Sequence, residues 1–135
     1  MSDSHQSDGG KVSDASVRKG KTGLTRVINA FFYSMAGLRA AFRDEDAFRQ
    51  EVVLAALLIP LAFFMPASGV GKALMMASVL LVLIVELLNS AVEALADRIS
   101  SEKHDLIKKA KDIGSAAVFI ALINVLVVWL LVLMG

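Results

Sequence analysis

Glu86, Asn89, Ser90 and Glu93 punctuate an apolar run, 73–96, that is long enough to cross a bilayer, and Asp97 closes it. Ionisable side chains at membrane depth cost roughly 2.5–3.5 kcal/mol each on insertion scales, so carboxylates placed there point to function. At about 100° per residue, with Glu86 as zero, Asn89 falls near −60°, Glu93 near −20° and Asp97 near +20°. The four share an arc of roughly 80°, in a stack about 16 Å tall. Interhelical hydrogen bonding accounts for Asn and Ser on such a stripe. It does not account for two Glu, because like charges on one face repel unless a cation or a proton lies between them. Carboxylates near the aqueous edge are hard oxygen ligands suited to Mg²⁺, which is usually held by one or two carboxylates together with phosphate oxygens. A deeper, desolvated carboxylate suits a general base. At that depth the hydroxyl it meets belongs to a lipid.

Three apolar stretches are long enough to hold this ladder in a membrane: about 46–66, 73–96 and 113–134. The first carries Arg49, Gln50 and Glu51 at its start, which its short apolar centre places at headgroup level, and Pro60, which predicts a kink or one missing backbone bond. The segment 66–71 reads as a tight turn, and 97–112 as a polar connection with helical extensions and a loop. Of fourteen Lys and Arg, eight precede Val52, five lie in 97–112 and only Lys72 falls between the first two spans. The positive-inside rule then sets the N-terminus and the second connection in the cytoplasm and the C-terminus outside. Upstream, Val27, Ile28, Phe31, Phe32, Met35, Leu38 and Phe42 recur at helical spacing, with Arg26, Arg39 and Arg43 on the more polar side. That pattern predicts an amphipathic helix over 25–43 lying in the membrane interface; a helix packed against a partner is the alternative. Residues 1–22 are Ser-, Asp-, Gly- and Lys-rich and read as a disordered cytoplasmic tail without the apolar core of a signal peptide.

Composition narrows the chemistry. A chain of 135 residues with 56% hydrophobic content and mean hydropathy +0.66 is a single membrane domain. Without Cys there is no thiolate nucleophile, and two separated His cannot make a His-based metal site. Gly71-Lys72 is no P-loop: Pro66 stands where its first Gly belongs, Ala73 replaces the Ser/Thr, and the segment lies on the outer side. Arg26 and Lys111 offer positive charge for phosphate at the level of the ladder, although such residues also serve as ordinary interfacial anchors.

Taken in order, Glu86-Leu-Leu-Asn89-Ser90-Ala-Val-Glu93-Ala-Leu-Ala-Asp97-Arg98, Ser101-Glu-Lys-His104 and Ala110-Lys111-Asp112-Ile-Gly114-Ser115 closely resemble the bacterial integral-membrane diacylglycerol kinases. Thr25-Arg26, Tyr33-Ser34, Gly37-Leu-Arg39 and Ala47-Phe48-Arg49-Gln50-Glu51 fit the same pattern, so the resemblance covers residue 23 onward. It implies an all-α homotrimer with a surface helix and three transmembrane helices per subunit, active sites shared between neighbours, and Mg²⁺ and ATP as cofactor and co-substrate. It further implies Glu86 as catalytic base and Glu93 and Glu45 as metal-binding carboxylates. Glu45, flanked by Asp44 and Asp46, would by itself read as solvated surface. Arg26, Tyr33, Glu45, Glu93, Glu102, Lys103, His104, Lys111 and Asp112 fall at nucleotide positions. Arg26, Ser34, Arg39, Ala47, Phe48, Arg49, Gln50, Glu51, Glu86 and Ser115 fall at lipid positions, and Asn89 and Asp97 support the site. Lys103 stands where familiar members carry an aromatic residue, and Asn29 and Met35 replace more typical residues of the surface helix.

The expected reaction is transfer of the ATP γ-phosphoryl group to diacylglycerol, giving phosphatidate at the cytoplasmic face of the bacterial inner membrane. The expected partners are the lipid, ATP and further copies of the chain, and no nucleic acid. An undecaprenol kinase of the same family is the alternative; a small proton-coupled exporter is the remote one.

Overall fold

The computed structural model describes residues 12–99 and 104–135 of the chain. They form four helices, α1 (Val12–Asp44), α2 (Asp46–Phe64), α3 (Gly69–Ile99) and α4 (Asp105–Met134), and no strand occurs among the described residues. By length and hydropathy α2, α3 and α4 can each cross a membrane, whereas α1 is not apolar enough. The fold is all-α, with one non-membrane helix and three of transmembrane character.

Packing divides the chain after Arg39 into two units. The first is α1 up to that residue. Its helix begins at Val12, thirteen residues before the expected start at 25 and inside the segment expected to be a disordered tail. No proline interrupts 12–44. Once nucleated, a helix gains one backbone bond per added residue, so the turns of 25–43 propagate backwards. Leu24, Val27, Ile28, Phe31 and Phe32 are exposed along it, with Phe31 and Phe32 edge to face at 5.9 Å.

The second unit, from Ala40 onward, is built around α3, which packs on both α2 and α4. The buried residues of α2 are Phe48, Ala55 and Ala62, a repeat of seven. Those of α3 begin Gly71, Met75, Ser78, Val79, Val82 and Glu86, the alternating three-and-four spacing of a left-handed helix seam. Small residues carry the contacts, as is usual where lipid removes the hydrophobic drive between helices and close approach must hold them together. Large apolar side chains instead point outward, Leu57, Leu88, Leu126 and Phe64 among them, the last 85% exposed. Helix α2 continues through Pro60.

The α3–α4 seam is tight at a glycine near each end. A Cβ on Gly71 would meet Val132 Cγ1 at 2.8 Å, and one on Gly114 would collide with Asn89 Oδ1. Trp129 Nε1 donates to the Met75 carbonyl at 3.3 Å, and Ser78 Oγ donates to the same carbonyl at 2.7 Å. The turn between α2 and α3 is shorter than expected. Ser68 Oγ accepts from Gly71 N at 3.0 Å and Ser68 O from Lys72 N at 2.9 Å, so the residues 69–71 assigned to the turn become the first turn of α3.

Candidate functional site

Helix α3 carries the acidic ladder inward. Glu86 is 5% exposed, Asn89, Ser90 and Glu93 are half-buried, and Asp97 is exposed. Burial falls off toward the end of the helix, as the sequence gradient from apolar to polar requires. Opposite Glu86, α2 presents Glu51, close enough for the two carboxylates to repel, and Glu93 and Glu45 lie within electrostatic range of Glu86. Glu51 is half-buried, whereas Gln50 beside it is exposed. Its Oε2 is buried and has no hydrogen-bond partner. Phe48, Glu51, Ala55, Leu58 and Ala62 step by three and four along one face of α2, but that this face meets α3 is decided by packing.

Three buried side-chain atoms among the described residues lack partners: Glu51 Oε2, Asn89 Oδ1 and Ser90 Oγ. Native structures leave few such atoms, and each calls for an explanation. All three belong to the ladder or to the residue facing it.

The corner before α2 sets Glu45. This residue occupies the position before the first helical turn, with its side chain making no capping bond, so its carboxylate is left to other partners. Arg49 builds the corner: Nη1 donates to Phe42 O at 3.0 Å and to Arg43 O at 2.6 Å, and Nη2 pairs with Asp46. Two of the carbonyls that the end of α1 leaves without helical partners are thereby satisfied. Phe48, 3% exposed, anchors the corner in the core, while Ala47 and Gln50 face outward. Hydrogen bonds from Arg43 to Asp44, at 2.7 and 2.9 Å, hold the Asp44 carboxyl below its usual range.

On α4, Lys111 Nζ reaches Asp97 Oδ1 at 3.1 Å and Lys108 Nζ reaches Asp112 Oδ2 at 2.8 Å. Exposed pairs of this kind are worth about 0–1 kcal/mol, so neither holds its lysine firmly. His104 precedes α4, exposed, and its carbonyl accepts from Ile107 N and Lys108 N. Ser115 is exposed one residue beyond Gly114. Glu102 and Lys103 lie outside the described residues. Arg26, Tyr33, Ser34 and Arg39 belong to the first unit, all of them exposed, with Ser34 Oγ donating to Ala30 O at 2.9 Å. Lys72, the basic residue of the rejected P-loop, sits over the Phe63 ring at 5.9 Å.

No three His, Asp or Glu among the described residues converge as a metal cage. The donor set, two half-buried carboxylates in electrostatic range of Glu86, fits Mg²⁺ held jointly with phosphate oxygens, the arrangement usual for this small, strongly hydrated ion.

Residues 32–133 match the family model described as prokaryotic diacylglycerol kinase. The chain is 57% identical over 117 residues to a diacylglycerol kinase of Pseudomonas aeruginosa, covering 87% of this chain and 95% of that protein. It is 56% identical over 108 residues to one of Haemophilus influenzae, covering 80% and 92%. It is 40% identical over 118 residues to one of Helicobacter pylori, covering 87% and 92%.

Proposed function

The chain belongs to the prokaryotic diacylglycerol kinase family, and from that premise we propose how its own residues divide the work of an ATP-dependent diacylglycerol kinase at a membrane interface. Glu86 takes the proton of the lipid's primary hydroxyl. The freed oxygen attacks the γ-phosphorus in line, the new O–P bond forms, and the bond to the ADP oxygen breaks. The observation that carries this reading is the burial of Glu86 within a membrane-spanning helix, facing Glu51 and in range of Glu93 and Glu45. A carboxylate so placed is reached by a lipid hydroxyl.

Glu93 and Glu45 would hold Mg²⁺, which when bound neutralises charge on the phosphate oxygens. Lys111 and Arg26 balance the charge that develops on them, and Tyr33, Glu102, Lys103, His104 and Asp112 contact the nucleotide. Ser34, Arg39, Ala47, Phe48, Gln50 and Ser115 line the lipid's approach, and Arg49 serves it through the corner it holds together. Asn89 and Asp97 keep the ladder and Lys111 in place. The amphipathic stripe of α1 lies in the interface, the basic ends of the helices face the cytoplasm, and the C-terminus lies outside. The working unit is a homotrimer with shared sites: three spans enclose too little surface for both ATP and a lipid.

ATP turnover by the purified protein in mixed micelles, offering diacylglycerol and undecaprenol separately, tests the acceptor. Diacylglycerol is expected to be the better acceptor; phosphorylation of undecaprenol alone overturns the assignment. For Glu93→Gln the Mg²⁺ concentration giving half-maximal rate is expected to rise by roughly 10–100-fold, the amount that even an outer partner of a metal ligand is worth. An unchanged Mg²⁺ dependence removes Glu93 from the metal site.

A further inference from the structure

The middle of α4 takes no part in the proposed reaction, yet it carries one polar group that its own chain leaves unanswered. Across residues 116–134 the only side chains with nitrogen or oxygen are Asn124 and Trp129. Trp129 Nε1 donates to the Met75 carbonyl at 3.3 Å. Asn124 is half-buried and makes no hydrogen bond among the described residues. It lies twelve residues beyond Asp112, about 18 Å along the helix, and so near the middle of a hydrocarbon core about 30 Å thick. Gly114 and Val132 both meet α3, and both stand about 80° round the helix from Asn124. Leu122, Val125 and Leu126, which line the space shared with α2, stand about 100–200° away in the same sense. Asn124 is therefore on the flank of α4 turned away from α2. Gly114 opposes Asn89 and Val132 opposes Gly71, so by register Asn124 comes level with Ser78 and Val79 of α3. Ser78 is buried and donates to the Met75 carbonyl at 2.7 Å, and the Val79 side chain has no polar atom.

Ile113, Ala117, Ile120, Asn124, Val127 and Leu131 step alternately by four and three, the spacing of a left-handed helix seam, and all but Asn124 are exposed. Apolarity cannot single out this stripe on a helix that is apolar all round; the amide does. We propose that the stripe is a docking face for a second copy of the chain, joined to it at mid-membrane by a hydrogen bond through Asn124. Neither water nor a lipid headgroup reaches that depth, so another polypeptide must satisfy the amide. An amide both donates and accepts, so the same group on a second copy can answer it. A single polar residue in an apolar seam fixes register and the number of chains, at some cost in stability. Asn124 thus decides how copies pair, and the contact is independent of the phosphoryl transfer.

The full chain, purified in detergent without nucleotide or lipid substrate, is measured by sedimentation equilibrium over a range of protein-to-detergent ratios. Asn124→Val is expected to raise the dissociation constant at least roughly threefold, the smaller end of what an interhelical side-chain bond is worth in a membrane. An apolar residue suits a membrane span better than an amide, so a weaker assembly cannot be put down to a failed helix. Asn124→Gln, which keeps the amide, should associate more tightly than Asn124→Val. The face is located by a benzophenone attached at Ile120→Cys, one helical turn before Asn124 on the same stripe; the chain has no cysteine of its own, so the label is unique. Irradiation in lipid vesicles should give adducts of twice the chain's mass. Adducts with lipid alone, unchanged association in Asn124→Val, or a Gln variant no tighter than the Val variant overturns the proposal. Turnover, measured separately, tests the kinase reading alone.

Discussion

The two ends of the α3–α4 seam follow one design and differ in what they leave undone. At the outer end Gly71 admits Val132, and the Met75 carbonyl receives both Ser78 Oγ and Trp129 Nε1. There the side-chain donors are answered within the protein. At the inner end Gly114 admits Asn89 in the same way, yet Asn89 Oδ1, Ser90 Oγ and Glu51 Oε2 remain without partners beside a buried Glu86. Close packing without polar satisfaction is destabilising, and proteins tolerate it where a ligand completes the set. That difference is what distinguishes a structural lock from the proposed site.

The largest test of that division is Glu86→Gln. If the inner end is a site, kcat falls by roughly 10²–10⁴-fold, the contribution of a positioned general base. Thermal stability in detergent should hold or rise, because the substitution removes a buried carboxylate from repulsion by Glu51 and Glu93. Ser78→Ala, the matched change at the outer end, should leave turnover unaltered. A Glu86→Gln enzyme that keeps most of its rate would place the base elsewhere.

An intermediate effect separates the glycines. Gly71→Ala forces Val132 to give way, and Gly114→Ala forces Asn89 to do so. Both overpack the seam, which costs about 1–3 kcal/mol, so both variants should melt earlier. Only Gly114→Ala should also raise the KM for ATP and lower kcat, because Lys111 stands one helical turn away and moves with α4. Equal activity at equal stability in the two variants would dissolve the contrast.

How far the sequence reaches differs between these regions for a physical reason. Hydropathy and charge placement define the three spans, because lipid penalises polar residues whatever their neighbours. Helical period places Glu86, Asn89, Glu93 and Asp97 on one stripe, because one helix carries them all. Glu51 joins them from another helix, and only packing decides which face of α2 meets α3. Arg49 is equally opaque: its type suggests a lipid or phosphate contact, while its position lets it tie Phe42 O, Arg43 O and Asp46 together. Glu45 needed the family resemblance, since a run of three acids reads as solvated surface. The early start of α1 at Val12 escaped because polarity is a poor guide to where a nucleated helix stops.

The smallest expected effect is at the outer end. Trp129→Phe keeps the ring and removes the donor, so Met75 O keeps Ser78 Oγ. Since the carbonyl is not left bare, the loss is that of one hydrogen bond, about 0.5–1.5 kcal/mol. Half-inactivation temperature in detergent should fall by a few degrees, while kcat and both KM values measured well below that temperature stay at wild-type levels. Along α4 the bond lies about five helical turns from Lys111, and the register of that helix is also fixed by Gly71 and Gly114. A Trp129→Phe enzyme with wild-type melting but a raised KM for ATP would show that the outer end sets the position of Lys111, and the two ends would then be one device rather than two.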